Sequence, residues 1–377
     1  TFFVDYEFLP GLTGRVNVGY DVLSRSESAY YPQETTLLGS EVGGAARRIN
    51  IFDVTWLTDF LLTYNKSFGK HQINAVTGFT AQANTLERTL AARNNFVTDA
   101  FGTANLSGGA LEVVPQSSLD EWSLVSWLGR VNYILSDRYL LTFSGRYDGS
   151  SRFAEGNKFG FFPSGAVAWR VSNEPFLQNS QIVNDLKLRA SYGVTGNQEI
   201  GLYRSLARYV TVGEIFGGTP AVGVRPASNG IPNEDLTWET TRQLDIGFDL
   251  TAFDNRLNFT FDYYHKTTED LILEFPVTVE SGFSSVLQNS GSVENRGIEL
   301  SGGTSLQVGQ VGISFDANVT FNDNNILDLG GQDTIILGNS GRAHIIGQDL
   351  GALYVAEFAG IWQLGEEAEA AEYGREP

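Results

Sequence analysis

Apolar and polar residues alternate strictly along much of the chain. The segment VNVGYDV (16–22) sends Val16, Val18, Tyr20 and Val22 to one face and Asn17, Gly19 and Asp21 to the other. The pattern returns at LKLRASYGV (186–194), LDIGFDL (244–250), LNFTFDY (257–263) and ISFDANVTF (313–321). A period of two is that of a β-strand, and the alternation predicts strands at 1–8, 12–21, 50–67, 71–83, 122–135, 138–148, 160–171, 184–194, 237–252, 256–268, 292–307 and 311–323. One face is expected to be apolar throughout: Val16, Val18, Tyr20, Leu186, Leu188, Leu244, Ile246, Phe248, Phe259 and Phe261. The other is expected to be polar, with Asn17, Lys187, Arg189, Asp245, Asp249 and Thr260. No amphipathic helix of useful length is present to cover the apolar side.

Strand length and connections give that apolar side a solvent. Strands of soluble sheets usually run about 5 to 6 residues, whereas a tilted strand crossing a bilayer needs about 9 to 11, and several predicted here are longer. The links alternate between short (9–11, 68–70, 136–137, 253–255, 308–310, with 172–183 somewhat longer) and long (22–49, 84–121, 149–159, 195–236, 269–291 and from 324). Outer-membrane barrels have short periplasmic turns and long extracellular loops. Tyr133 and Tyr139 beside the turn at Ser136 and Asp137, and Tyr263 and Tyr264 farther along a strand, suit interfacial girdles. The alternative is a secreted all-β glycan-binding module or glycan-active enzyme in which two apolar faces meet in a sandwich. Strand length and link alternation weigh against it.

Composition narrows the classes further. There are 25 Lys and Arg against 44 Asp and Glu, a net charge of −19, which excludes a phosphate-gripping nucleic-acid surface. With no Cys, disulfides, thiolate metal sites and cysteine nucleophiles are all ruled out. The 42 Gly and 12% aromatic residues agree with strands joined by tight turns. No run reaches the ~18 apolar residues of a transmembrane helix, which does not bear on a barrel. The absence of Met and of a signal peptide is read as the mark of a fragment.

Seven blocks resemble the SusC/RagA family of TonB-dependent outer-membrane transporters of Bacteroidetes-type bacteria: SDRYLLTFSGRYDGSSRF (136–153), FPSGAVAWRVSNEPFL (162–177), LKLRASYGVTGNQEIGLY (186–203), NEDLTWETTRQLDIGFDL (233–250), NRLNFTFDYYHKTTEDLI (255–272), NSGSVENRGIEL (289–300) and GQDLGALYVAEFAGIW (347–362). The resemblance is specific from about residue 120 onward and looser before it. It implies an all-β fold, an antiparallel transmembrane β-barrel, of which this chain supplies about 12 strands of a larger, 22-stranded, plugged barrel. Residues 1–323 would be barrel strands with their loops and 324–377 a truncated extracellular loop region, with the plug domain outside the chain. It further implies TonB-dependent import of oligosaccharides or peptides, a SusD-like surface lipoprotein as partner, the TonB complex reached through an absent N-terminal region, outer-membrane lipid around the barrel, and no cofactor.

Candidate chemistry is sparse. Asp148, Gly149, Ser150, Ser151, Arg152 and Phe153, with Gly196, Asn197 and Gln198, are tempting as ligand contacts. They read better as family signatures that shape strand ends, Arg152 pairing with a neighbouring acid. His71, His265 and His344 have no metal-ligand spacing. Asp245 and Asp249, with Gly247 between them, suit a solvated channel wall rather than an acid and base pair. Asp323–Asp328 lacks EF-hand spacing and is expected to be a turn. Phe96, Phe101, Phe216 and Trp362 are loop aromatics suited to stacking on sugars, to a lid protein or to anchoring loops.

Overall fold

The computed structural model describes residues 1–356 and 358, apart from 218, 229, 230 and 339. Strands β1 (Phe2–Leu9), β2 (Leu12–Tyr31), β3 (Ala45–Phe68), β4 (His71–Phe96), β5 (Gly109–Leu135), β6 (Tyr139–Ser150), β7 (Phe159–Arg170) and β8 (Val183–Asn197) follow one another as an antiparallel meander. A hairpin of β9 (Tyr209–Phe216) and β10 (Thr219–Pro226) stands in the next loop. The meander resumes with β11 (Glu239–Ala252) and β12 (Leu257–Glu269), is interrupted by a second loop hairpin, β13 (Ile272–Pro276) and β14 (Ser285–Asn289), and ends with β15 (Ser292–Val308) and β16 (Val311–Asp328). Three short strands, β17 (Thr334–Ile336), β18 (Arg342–Ile345) and β19 (Ala352–Leu353), form a separate small sheet. The main sheet has 12 strands in the order β1 to β8, β11, β12, β15, β16. All 12 predicted strands are present, and the fold is the all-β antiparallel sheet expected.

Register shows that the two faces are continuous across strands. Val16 lies opposite Phe60, Phe60 opposite Phe79, Phe79 opposite Trp127, Trp127 opposite Tyr147 and Tyr147 opposite Phe161. Directly opposed residues share a face, so this row is a single apolar band. Farther on, Leu188 opposes Phe248 and Phe248 opposes Phe261, while Ile246 opposes Tyr263 and Ile298 opposes Phe321. Lys187 opposes Asp249 and Asp249 opposes Thr260, all on the opposite, inner face, as the alternation predicts. Among the described residues the apolar face has no second layer over it, and Phe143 and Phe161 are each 62% exposed. The sandwich alternative is not the arrangement the strands adopt.

Several expectations need correcting. β2, β3, β4 and β5 run for 20, 24, 26 and 27 residues, far beyond the predicted ends, whereas β6 and β7 have 12 each. At ~3.3 Å per residue and a ~40° tilt, 24 residues rise roughly 60 Å along a barrel axis, well above an apolar band ~25 Å tall. The long strands therefore build a wall that stands clear of the band at the loop end of the sheet. The inner face is also not polar throughout, because Leu57, Leu61, Val76, Leu124 and Leu128 occupy inner positions on β3, β4 and β5. Asp323–Asp328 is not a turn but the end of β16, held by the pairings of Arg296 with Asp323 and Asn295 with Asn324. Tyr264 faces inward, its hydroxyl donating to Asn322 Oδ1 at 2.6 Å, so only Tyr263 of that pair is on the apolar face.

The tight connections carry the backbone chemistry their length demands. The link between β5 and β6 is Ser136–Arg138, one residue longer than expected; Ser136 and Asp137 both have positive φ, 55° and 57°, as the central residues of a primed turn in which the Arg138 N–H donates to the Leu135 carbonyl. Replacing outward Ile246 by Arg is expected to lower folding stability in a bilayer by about 2 to 4 kcal/mol. Inward Thr260→Arg should shift it far less, and denaturant titration of both variants in lipid vesicles measures the difference.

Candidate functional site

The inner wall is built by side chains that meet across strands. Asn65 accepts from Asn74 at 2.6 Å, Asn74 accepts from Asn132 at 2.9 Å, and Asn132 accepts from Thr142 at 2.9 Å, a chain of amides crossing β3 to β6. On β8, Lys187 and Arg189 both pair with Asp249 at 2.9 Å, and Arg189 also reaches Asp262 at 3.1 Å. Arg189 and Asp262 lie on strands separated by β11, in register with Gly247. A Cβ at Gly247 would sit 2.2 Å from Asp262 Oδ1, so the missing side chain is what lets the ion pair span three strands. Asp245 accepts from Ser191 and from Gln243. Asp245 and Asp249 thus lie on the inner face of the sheet with their carboxylates engaged by neighbours.

At the loop end, four segments distant in sequence converge. Phe153, Ile200, Leu236 and Trp238 form one buried cluster, with Phe153 at 1% exposure and Leu236 at 0%. Ser150 is buried and its N–H donates to the Lys158 carbonyl, which also receives the Trp238 indole N–H at 3.1 Å. The Ser123 N–H donates to Ser151 Oγ at 2.8 Å. Arg152 donates to Glu199 at 3.0 Å and to the Ile200 carbonyl at 2.7 Å, and its guanidinium lies over the Trp122 ring at 5.3 Å. Asp148 pairs with Arg146 at 3.1 Å, and Gly149 stands beside the Phe159 ring. Asn197 donates to Glu239, while its own Oδ1 accepts from the Glu199 N–H. Gly196 faces the Phe162 ring, and Gln198 Oε1 is shut off from water without a donor among the described residues.

The structure therefore brings DGSSRF and GNQ together with residues singled out less sharply, namely Ile200, Leu236, Trp238 and Asn289. Asn289 fastens the next loop by donating to the Thr237 and Asp270 carbonyls and accepting from the Thr237 N–H. The blocks NEDLTWET and NSGSVEN were the signal for them, but nothing in linear spacing shows that Trp238 meets Phe153. A second buried cluster of Phe275, Val293, Ile326, Leu329 and Ile335 roots the last loops. Phe96 is buried, Phe101 is exposed, and Trp362 and the Phe216 side chain lie outside the described residues.

The histidines stay apart. His71 Nδ1 contacts Tyr133 Oη at 2.7 Å, His265 Nε2 contacts Glu294 at 2.7 Å, and His344 Nδ1 accepts from the Gly351 N–H. Among the described residues no group of three or more metal-ligating side chains occurs. At the turn end, Glu174 receives the Tyr139 hydroxyl at 2.8 Å and the Trp169 indole at 3.1 Å, with Arg138 at 3.2 Å. These hydrogen bonds, with the Arg138 charge, hold its carboxyl below the usual glutamate range.

A sheet with one lipid-facing side, one hydrated side, tight turns at one end and tall rooted loops at the other defines a wall of an outer-membrane β-barrel. The sequence matches the family described as TonB dependent receptor-like, beta-barrel, over residues 1–364, and the chain belongs to that family. It is 37% identical over 374 residues to TonB-dependent receptor P3 of Formosa agariphila, covering 97% of this chain and 37% of that protein. It is 36% identical over 252 residues to TonB-dependent receptor SusC of Bacteroides thetaiotaomicron, covering 62% of this chain and 25% of that one. Among solved structures, the RagAB peptide transporter superposes with a TM-score of 0.82 at 29% identity, covering 95% of this chain and 39% of that chain. The chain thus spans well under half the length of these relatives. Its place is the cell outer membrane, and its family is one of receptors and transporters rather than enzymes.

Trp238→Ala is expected to loosen the loop knot by about 3 to 5 kcal/mol while leaving the strands intact. Limited proteolysis should then cut within residues 198–238 faster than in the unaltered protein. Because the folded Glu174 carboxyl titrates below its unfolded value, its anchoring of the 171–182 turn is full above the ordinary glutamate pKa and is lost as pH falls through the lowered folded value. Glu174→Gln should abolish that acid-side transition, as read by hydrogen exchange at the Leu177 and Gln178 amides.

Proposed function

We propose that the whole-length protein imports nutrients, oligosaccharides or peptides, across the outer membrane by TonB-dependent active transport. A SusD-like lipoprotein would capture cargo at the extracellular face, and a plug domain would gate the lumen. The observation that carries this reading is the continuous inner wall. On β8, β11, β12, β15 and β16 most inward residues are polar, charged or Gly, as in the row Asp249, Thr260, Ser301 and Asn318. Such a surface solvates a polar cargo, and its Lys187 and Arg189 are paired with Asp249 and Asp262. The aliphatic inner positions Leu57, Leu61, Val76 and Leu128 suit a wall covered by a plug rather than by water.

The family assignment supports the class of activity. The likeness to the RagAB peptide transporter supports peptides as a cargo class, while the oligosaccharide class and the lipoprotein partner rest on the SusC/RagA resemblance of the sequence blocks. The chemistry asked of the chain is physical: closed backbone hydrogen bonding in lipid and a hydrated path inside. In cells lacking the protein, uptake of labelled oligosaccharide or peptide mixtures should fall to background, and disabling TonB in otherwise intact cells should do the same. Uptake that continues at the normal rate without TonB would sink the active-import reading.

A further inference from the structure

The lipid-facing side of β3 to β7 is not smooth. A row of large rings, with Phe79 opposite Trp127 and Trp127 opposite Tyr147, crosses the sheet. The next outward row toward the periplasmic turns is low: Thr77 opposes Gly129 and Gly129 opposes Gly145. Below it the surface rises again at Tyr64 and Phe143. The result is a groove of about 450 Å³ walled by Leu62, Tyr64, Phe143 and Phe161. A Cβ built on Gly129 meets nothing within 4 Å, so this residue opens directly onto the hollow.

The groove's position and rim point to its occupant. It lies within the surface that outer-membrane residence puts against the bilayer, at the level of its periplasmic half. A hollow this small holds a flexible chain, since a helix ~10 Å across would not enter it. Four residues nearer the turn than Leu62, the outward residue is Lys66, about 10 Å lower along the axis. Lys66 is exposed and has no carboxylate partner among the described residues. Stacked Phe68, His71 and Tyr133, with ring centroids 5.1 and 5.9 Å apart, mark the membrane boundary beside it.

We propose that the groove over Thr77, Gly129 and Gly145 is a specific site for a phospholipid of the periplasmic leaflet, one acyl chain lying in the hollow and the headgroup phosphate on Lys66. The site depends on outer-membrane residence and not on the cargo reading above, so either can fail without the other. The test is native mass spectrometry of the detergent-purified whole-length protein titrated with dioleoyl phosphatidylglycerol. The unaltered protein is expected to retain one lipid under activation that strips the rest. Gly129→Leu, whose Cβ meets nothing within 4 Å and whose side chain extends into the hollow, should cut that occupancy at least tenfold, and Lys66→Glu several-fold. Thr58→Leu, on the same face but outside the groove, should leave it unchanged. Retention of no single lipid beyond the bulk, or equal retention in Gly129→Leu and Thr58→Leu, overturns the site. Should Gly129→Leu fail to fold, unchanged retention in Lys66→Glu overturns it alone.

Discussion

Within a bilayer no water is available to the backbone, so every peptide N–H and C=O in the apolar band must find its partner on a neighbouring strand. That constraint orders the rest of this structure. It explains why consecutive strands of the main sheet pair with one another almost without interruption, and why the hairpins and short helices occur in the connections. It also explains why the register is nearly free of bulges below the loop-end extensions, where the one irregularity of β4 with β5 falls between Leu90 and Ala92. Once pairing is obligatory, the two-residue period of the side chains decides which solvent each one meets.

The two faces then solve different problems. Outside, large apolar rings need no partner, because lipid is their solvent. Inside, polar groups are wet or partly wet, and they are tied laterally: amide to amide from Asn65 to Asn132 and on to the Thr142 hydroxyl, and cation to carboxylate from Lys187 to Asp262. Where the strands outgrow the membrane, a third problem arises, since tall loops must be held up without a continuous core. Small buried clusters around Trp238 and around Ile326 do this, each drawing side chains from several loops. The import proposed above would need such a division between a fixed wall and rooted loops.

The alternation of residues made the strands and their faces legible, because lipid on one side and water on the other is the strongest two-fold pattern a strand can carry. The wall above the membrane was not legible for the same reason. Around Ser24, Ser26 and Ser28 on β2 and their partners Phe52, Asn50 and Arg48 on β3, both faces meet water and the period fades, although pairing continues. Asp323–Asp328 read as a turn because Asp and Asn favour turns locally, yet the ladder with β15 overrides that preference. The signature residues Asp148–Phe153 and Gly196–Gln198 could be picked out in sequence. Their shared destination with Leu236 and Trp238 could not, since it is set by which loop ends adjoin around the sheet.

The bridge from Arg189 across Gly247 to Asp262 has a consequence for assembly. A strand that slips by one residue turns its whole apolar set inward and is rejected by solvent alone. A slip of two residues keeps every side chain on its proper face, so hydrophobicity does not see it. Such a slip of β11 would put the side chain of Asp245 or Asp249 where Gly247 leaves the way clear. The three-strand contact therefore acts as a proofreader of register, detecting an error to which the surrounding membrane is blind.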